Sequence, residues 1–191
     1  MNAPETKAEI RDAMRKRRVT LEALWARDAS HRVADRIIAL PEFKRAEVVC
    51  CYLSLPGEVD AQAILDAAWK AGKKVAVPTA RDDGEYIPAW LTPSESVTVG
   101  RFNVRQPTVP FWAKPDRFDF MVIPGVAFST TGTRLGHGAG YYDRMLTRLS
   151  KKIGCKAGVC FSLQVLAALP TAEHDVAMDI VVTEDTVYRT T

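Results

Sequence analysis

Long apolar runs are missing from this sequence of 191 residues, and the apolar stretch of a secretory signal is missing from its beginning. A membrane-crossing helix needs about 20 mostly apolar residues, so we expect no membrane partner. Glu5, Glu9 and Asp12 also argue against a transit peptide, in which acidic residues are scarce. We therefore expect a cytoplasmic protein.

Cysteine is scarce, and its spacing excludes a common class of site. The four cysteines are Cys50, Cys51, Cys155 and Cys160, and no two of them have Cys-x-x-Cys spacing. All four lie in apolar stretches that are typical of strands. Zinc would need tighter, paired ligands, so we predict buried, reduced thiols rather than a zinc site.

A large excess of one charge is also absent, because the net charge is only +3. Basic residues do cluster at Arg15, Lys16, Arg17 and Arg18, which indicates a solvated helix face, an anionic ligand or a nucleic-acid contact. The chain has neither an aromatic-rich RNA-binding signature nor a helix-turn-helix pattern, so we expect no nucleic-acid partner. The length predicts a single domain over residues 1–191, and we expect a monomer.

Hydrophobic patterning and breaker residues predict alternating helices and strands. The predicted helices cover residues 5–18, 20–40, 61–71, 141–149 and 162–169. The predicted strands cover residues 47–55, 73–78, 118–124, 156–161 and 179–185. Residues 81–117, rich in proline and turn residues, predict a surface excursion with one short strand at 86–91.

This alternation predicts an α/β fold, a three-layer sandwich around a mainly parallel sheet that is Rossmann-like. In such sheets ligands bind beyond the carboxyl ends of the strands. We expect three segments at that edge: residues 53–58, residues 124–142 and the approach to Asp179.

The segment RLGHGAGYYDR, residues 134–144, contains the densest run of glycine. Gly136, Gly138 and Gly140 alternate, so successive N–H groups can converge on one anion, and a helix N-terminus follows. Arg134 adds a fork of donors suited to phosphate oxygens. The pattern favours a phosphate cradle, but it is neither the P-loop nor the dinucleotide fingerprint, and its spacing alone also permits a flexible turn.

The longer stretch VIPGVAFSTTGTRLGHGAGYYDRML, residues 122–146, resembles the signature of the 5-formyltetrahydrofolate cyclo-ligase family. It matches the pattern Gly-x-Arg-Leu-Gly-x-Gly-x-Gly-Tyr-Tyr-Asp at every fixed position. KAEIR, LSLPGEVD and MDIVVTED resemble further family segments, so the resemblance covers nearly the whole chain. It implies an enzyme that uses ATP and Mg²⁺ to close 5-formyltetrahydrofolate into 5,10-methenyltetrahydrofolate through a phosphorylated formyl group, releasing ADP and phosphate.

The resemblance also implies roles for individual residues. Lys7 and Arg11 would bind the ATP phosphates, with Arg15 continuing the same helix face, and Arg134 and Tyr142 would be catalytic. The implied ATP-binding loop is Arg134, Leu135, Gly136, His137, Gly138, Ala139, Gly140, Tyr141 and Tyr142. The implied folate-binding residues are Leu53, Glu58, His137, Gly138, Ala139, Gly140 and Tyr141.

The resemblance implies two magnesium-associated aspartates, Asp143 and Asp179. Asp143 can equally be the N-cap of the helix that follows the loop. Asp175 lies near Asp179 without a clear counterpart in the family. Phe128 and Trp90 can stack on the pterin ring, although ordinary packing explains both.

Two positions depart from the family pattern. Ala139 stands where relatives often carry lysine or glycine, and His137 where they often carry arginine, methionine or tyrosine. Three other functions stay open from the residues alone. They are a folate- or nucleotide-binding protein without turnover, a phosphosugar isomerase-like enzyme with His174 as its base, and a basic RNA-binding protein.

Overall fold

The computed structural model of the chain describes residues 6–100 and 104–190. The α-helices of these residues are α1 (Lys7–Val19), α2 (Ala23–Ala39), α3 (Pro41–Arg45), α4 (Gln62–Lys70) and α5 (Tyr141–Leu149). The strands are β1 (Val48–Cys50), β2 (Lys74–Ala80), β3 (Tyr86–Trp90), β4 (Val97–Val99), β5 (Arg105–Pro107), β6 (Phe111–Trp112), β7 (Phe118–Pro124), β8 (Ala127–Ser129), β9 (Arg134–Leu135), β10 (Ile153–Val159), β11 (Val165–Leu166), β12 (Ile180–Val182) and β13 (Val187–Arg189).

An eight-stranded sheet forms the centre of the fold, in the order β13-β12-β10-β7-β1-β2-β3-β6. The five strands from β12 to β2 are parallel, while β13, β3 and β6 join the two edges in antiparallel fashion. Helices cover this sheet, so the predicted α/β fold with a mainly parallel sheet is confirmed. A further sheet, in the order β11-β8-β9, carries part of the glycine-rich segment.

The apolar sequence of β7 shows why the sheet is buried on both faces. Phe120 and Val122 belong to one core cluster, whereas Met121 and Ile123 belong to another. Because successive strand residues point to opposite faces, a continuous apolar run is needed where helices cover both faces. The first cluster also contains residues of α2 and α4, and the second contains residues of α5.

Helix α1 is placed against the glycine-rich segment by a small separate core. Its start is fixed by a capping box, in which the Glu9 amide donates to Thr6 Oγ1 and the Thr6 amide donates to Glu9 Oε2. Ile10 and Met14, one turn apart, then pack against Val126 and neighbouring apolar residues. The basic face of α1 therefore begins beside the segment that we expected to bind phosphate.

The predicted helix over residues 162–169 is wrong. A single 3-10 turn, Ser162–Gln164, is followed by β11, which pairs in parallel with β8. The buried Gln164 stops the helix, because its Oε1 accepts from the Phe161 amide and its Nε2 donates to the carbonyls of Gly125 and Val126. These bonds tie the turn to the chain that leaves β7.

Residues 81–117 are more than a surface excursion. The predicted short strand is confirmed as β3, and both β3 and β6 extend the main sheet. Strands β4 and β5 form a separate antiparallel pair. No helix among the described residues is long and apolar enough to cross a membrane.

Candidate active site

A cavity of about 290 Å³ lies at the carboxyl ends of β1 and β7. Tyr52 and Leu53 follow β1, and Pro124 ends β7. The apolar and aromatic part of its wall consists of Tyr52, Leu53, Leu55, Tyr86, Val104, Pro124, Tyr141 and Tyr142. The charged and polar side chains in the wall are those of Glu58, Arg134, His137 and Asp143. An apolar cavity with a few convergent polar groups is typical of a small-molecule site.

Arg134 and Asp143 form a buried ion pair in this wall. Arg134 Nη2 lies 2.6 Å from Asp143 Oδ1, and only 2% of the arginine side chain is exposed. Nη1 donates to the Pro124 carbonyl, and the guanidinium lies 5.5 Å from the centre of the Tyr142 ring. The buried Nε has no hydrogen-bond partner. A buried cation needs such pairing, and the pair fixes the guanidinium at the cavity.

The glycine-rich loop passes from β9 to α5 along the cavity. Gly138 and Gly140 have φ angles of +110° and +69°, which side chains rarely adopt. Gly140 stands at the N-cap position of α5, where no side chain caps the helix. The N-cap role considered for Asp143 is therefore wrong, because this aspartate lies in the first turn of α5 and pairs with Arg134. The uncapped first turn leaves backbone donors at the cavity wall.

The basic face of α1 meets the same loop. Arg11 Nε donates to the Gly136 carbonyl at 2.8 Å. A second, smaller cavity of about 70 Å³ is enclosed by Arg11, Arg15, Arg18, Val126 and His137. His137 lines both cavities, so they share a wall.

Glu58 connects the turn after β1 with the glycine-rich loop. Its side chain is only 5% exposed, and its Oε1 lies 3.2 Å from His137 Nε2. Its Oε2 accepts a hydrogen bond from the Leu55 amide at 3.0 Å. The structure thus brings the two segments that we expected to bind folate and nucleotide into direct contact.

Burial raises the pKa of the Tyr142 phenol well above its usual range, and the neighbouring Glu58 carboxylate adds to the effect. The pKa of Tyr52 is raised in the same way, and its hydroxyl donates to the Val59 carbonyl at 2.6 Å. Both phenols are therefore protonated at neutral pH. Tyr142 can act as a hydrogen-bond donor at the cavity.

The model of the 5-formyltetrahydrofolate cyclo-ligase family matches residues 3–184 of this sequence. The chain belongs to this family. The cyclo-ligase of Escherichia coli K12 is 28% identical over 180 residues, covering 92% of this chain and 99% of the relative. The Saccharomyces cerevisiae cyclo-ligase is 30% identical, covering 82% and 84% of the two chains.

Solved structures agree with this assignment. The NMR structure of 5,10-methenyltetrahydrofolate synthetase from Aquifex aeolicus is 34% identical, with a TM-score of 0.83, and the match covers 96% of this chain and 92% of that one. The synthetase from Mycoplasma pneumoniae has the same fold, with a TM-score of 0.76 at 20% identity. The chain is a member of a family of folate enzymes, and these relationships support 5-formyltetrahydrofolate cyclo-ligase activity.

Most of the residues to which the family resemblance gave a ligand line the cavities. Those that line the larger cavity are Leu53, Glu58, Arg134, Gly136, His137, Ala139, Gly140, Tyr141, Tyr142 and Asp143. Those that line the smaller cavity are Arg11, Arg15 and His137. Lys7 lines neither cavity, and its Nζ forms a 2.5 Å ion pair with Asp175. Leu135 is buried in the small core beside α1, and Gly138 lies next to Arg11.

Asp179 does not lie where we expected it. It precedes β12, whose partner β10 runs in the same direction, so it lies at the amino end of that strand rather than the carboxyl end. Its carboxylate accepts from the Lys156 amide and from Lys156 Nζ, and it lines neither cavity. The predicted position of Asp179 at the binding edge is wrong.

Asp175 is the aspartate that contacts the basic face of α1, through Lys7. Partial burial acts to raise its pKa, but hydrogen bonds from Lys7 and from the Ala172 amide lower it below its usual range. The sequence offered two aspartates four residues apart, and only the tertiary contact with α1 distinguishes them.

The described residues contain no group of three or more histidine, cysteine, aspartate or glutamate side chains that could hold a metal ion. Mg²⁺ commonly binds through one or two carboxylates together with substrate phosphates and water. Asp143 fits this mode, because it lies on the cavity wall and only one of its oxygens is bonded to Arg134.

The two aromatic candidates for stacking are packing residues. Phe128 is completely buried, Trp90 packs against the same core cluster, and neither lines the cavity. Tyr86 of β3 is the aromatic residue that sequence reasoning missed, and its ring centre lies 5.0 Å from that of Tyr141. Its apolar position in a short strand gave no signal of function.

His174 lines neither cavity, so the isomerase alternative lacks its base there.

Proposed function

We propose that this chain converts 5-formyltetrahydrofolate to 5,10-methenyltetrahydrofolate with ATP and Mg²⁺, releasing ADP and phosphate. The observation that carries this proposal is the contact between Glu58 and His137, 3.2 Å apart, at the wall of an apolar cavity. This contact joins the turn implied in folate binding to the loop implied in ATP binding. A one-carbon group and a phosphoryl group held on either side of it would be neighbours.

The reaction that we propose has two steps. The formyl oxygen attacks the γ-phosphorus of ATP, and ADP leaves. The N10 nitrogen then attacks the formyl carbon, loses its proton, and the carbon–oxygen bond to phosphate breaks. Positioning and charge neutralisation are the main contributions that a protein makes to such a transfer.

The residues of the cavity suit these tasks. The Glu58 carboxylate offers two acceptor oxygens for the paired donors of a pterin edge. Its side chain is buried, so the carboxylate has a fixed orientation. Arg134, held by Asp143, and the protonated Tyr142 are donors for a phosphoryl group that gains charge during transfer. The backbone amides at the start of α5 add donors without needing a side chain.

The magnesium ion, when bound with ATP, supplies neutralisation of phosphate charge. Asp143 is the residue that would hold it, with its carboxylate oxygen that is not bonded to Arg134. Asp175 is a better candidate than Asp179 for a second carboxylate, because it lies against the basic face of α1.

A monomeric state and a cytoplasmic location stay predictions of the sequence.

The test is a direct assay of turnover. Purified protein is mixed with 5-formyltetrahydrofolate, ATP and Mg²⁺, and the near-ultraviolet absorbance of the methenyl product is followed together with ADP. We expect product only when all three are present, and one ADP for each product molecule. Binding of both ligands without product would instead support a non-catalytic folate- or nucleotide-binding protein.

Glu58→Gln gives a sharper test of folate placement. The substitution preserves shape but removes the charge, so we expect the KM for 5-formyltetrahydrofolate to rise about tenfold or more with the KM for ATP nearly unchanged. Glu22→Gln is the matched control, because Glu22 is exposed and makes no side-chain capping bond. Equal kinetics in the two variants would remove Glu58 from the folate site.

A further inference from the structure

The smaller cavity is lined by an unusual concentration of unpaired positive charge. Arg11, Arg15 and Arg18 lie on one face of α1 and converge on it. Among residues 6–100 and 104–190, no carboxylate forms an ion pair with any of the three. Their basic neighbours on the helix differ, because Lys7 pairs with Asp175 and Lys16 pairs with Asp12.

The size and lining of this cavity suit a small anionic group. Its volume is about 70 Å³, which is enough for one phosphate or carboxylate group. Guanidinium groups are well suited to both, because their planar fork donates two parallel hydrogen bonds to such oxygens.

The shared wall links this cavity to the larger one. His137 lines both, and Arg11 donates to the backbone of the glycine-rich loop. A group held between the arginines would therefore belong to a molecule that also occupies the larger cavity, or lie next to one.

We propose that Arg15 and Arg18, together with His137, form a binding site for one anionic group of a substrate in the larger cavity. This inference rests on the proposed function. It assigns to Arg18 a part in substrate recognition beyond the roles of Lys7, Arg11 and the loop. An anion there relieves the mutual repulsion of three neighbouring cations, which raises its affinity. The shared chemistry is a phosphoryl group of the nucleotide or a glutamate carboxylate of the folate.

Arg18 has a second neighbour that the test must take into account. Its Nη2 makes a long contact of 3.5 Å with the Pro56 carbonyl, and a side chain on Gly57 would lie 3.5 Å from its Nε. This turn leads to Glu58. Removing the guanidinium can therefore disturb the turn. The Arg15 variant separates the two effects, because Arg15 lines the same cavity.

The experiment compares Arg15→Gln and Arg18→Gln with Arg17→Gln, an exposed position of the same helix that lines neither cavity. KM values are measured for ATP and for 5-formyltetrahydrofolate carrying one or three glutamates. Tripolyphosphate and the folate are also titrated as binding probes in the absence of turnover. We expect the affinity for one of the two ligands to fall about tenfold in the first two variants, and less than twofold in Arg17→Gln.

The outcomes separate the two sources. Parallel losses for ATP and tripolyphosphate identify a phosphoryl group, whereas a loss confined to the folate, greater with three glutamates, identifies a carboxylate. Affinities like those of Arg17→Gln overturn the inference. An equal loss for both ligands and a lower melting temperature in Arg18→Gln alone also overturn it, because Arg18 would then only support the turn. A wild type that binds both probes but forms no product refutes the proposed function and leaves the binding comparison to decide the site.

Discussion

Arg134 shows how much one buried side chain contributes to the candidate site. Its guanidinium bonds to Asp143 through Nη2 and to the Pro124 carbonyl through Nη1, so the fork joins β7, β9 and α5. A lysine at this position would preserve the charge but lack the planar geometry needed for both bonds.

We expect Arg134→Lys to lower kcat about 100-fold while the protein still folds. Arg189→Lys is the matched control, because Arg189 also donates to a carboxylate, Glu42, through both Nη atoms but lies away from the cavity. Steady-state kinetics and circular dichroism check the prediction. A kcat within twofold of wild type would mean that charge alone, without the fork, is sufficient at residue 134.

The Lys7–Asp175 pair gives a prediction about pH. The pKa of Asp175 is lower in the folded protein, so the ionised pair stabilises the fold above the ordinary carboxyl pKa of about 4, and this contribution is lost as the pH falls through the folded pKa. We expect Asp175→Asn to melt about 2–4 °C below wild type at pH 7, which corresponds to about 1 kcal/mol. The difference should shrink towards zero below pH 4.

Asp12→Asn is the control for this measurement, because the Asp12–Lys16 pair is exposed and lies within one helix. Melting temperatures of both variants and wild type are recorded from pH 3 to 7. A difference for Asp175→Asn that is constant over this range would contradict a stabilising role of the ionised pair.

At the scale of elements, the sequence predicted the parts of the fold in which local pattern and burial agree. The strand at 118–124 and the helix at 141–149 match β7 and α5 at both ends. The helix over 162–169 failed, because the apolar residues there satisfy a helical period while Gln164 and the pairing of Val165 with Phe128 impose another conformation. Such hydrogen bonds join residues far apart in sequence, so the local sequence pattern does not predict them.

The same reasoning explains the outcome for the site. The residues of the glycine-rich loop were found because their chemistry lies within one short segment. Asp175, Arg18 and Tyr86 were missed or left without a role, since each depends on a contact with a distant element. The resemblance named the family correctly, but it could not show that Asp179 bonds to Lys156.

The glycine-rich loop supports a prediction at the scale of an element. Gly138 has a φ of +110°, and an added Cβ would lie in ordinary contact with Arg11, at 3.5 Å from Cζ, so backbone strain rather than a clash opposes a side chain. We expect Gly138→Ala to shift the loop and to lower kcat/KM for ATP about tenfold or more. Its melting temperature should also fall, as that of any glycine-to-alanine change at a positive φ should, because alanine is strained there.

Gly72→Ala is the matched control for Gly138→Ala. Gly72 also has a positive φ, of +72°, but it follows α4, and nothing lies within 4 Å of an added Cβ. The backbone strain should lower its melting temperature and leave the kinetics unchanged. If both variants lose activity to the same degree, the conformation of the loop is not what the nucleotide requires.

At the scale of the whole molecule, the candidate site exists only when the central sheet is assembled. Its walls come from α1, from the turn after β1, and from the chain between β9 and α5. Cys50 lies in β1 and Cys51 follows it, and their side chains are at most 1% exposed. Burial raises the pKa of both thiols well above the usual range, so neither reacts in the closed protein.

These thiols can therefore report on the opening of the sheet. We expect an aromatic disulfide reagent to label Cys50 and Cys51 only through rare opening. Saturating 5-formyltetrahydrofolate without ATP, which cannot turn over, should slow the labelling by about 100-fold at 100 times its dissociation constant. Cys155 is more exposed, at 8%, and burial raises its pKa only to about 11, which is less than for Cys50 and Cys51. A larger fraction of Cys155 is therefore ionised, and it should react before them. Mass spectrometry of the labelled peptides separates the sites, and Cys155→Ala removes the faster signal. Rapid labelling of Cys50 and Cys51 that 5-formyltetrahydrofolate does not slow would show that β1 opens without disturbing the cavity, contrary to a site that is assembled on the carboxyl ends of β1 and β7.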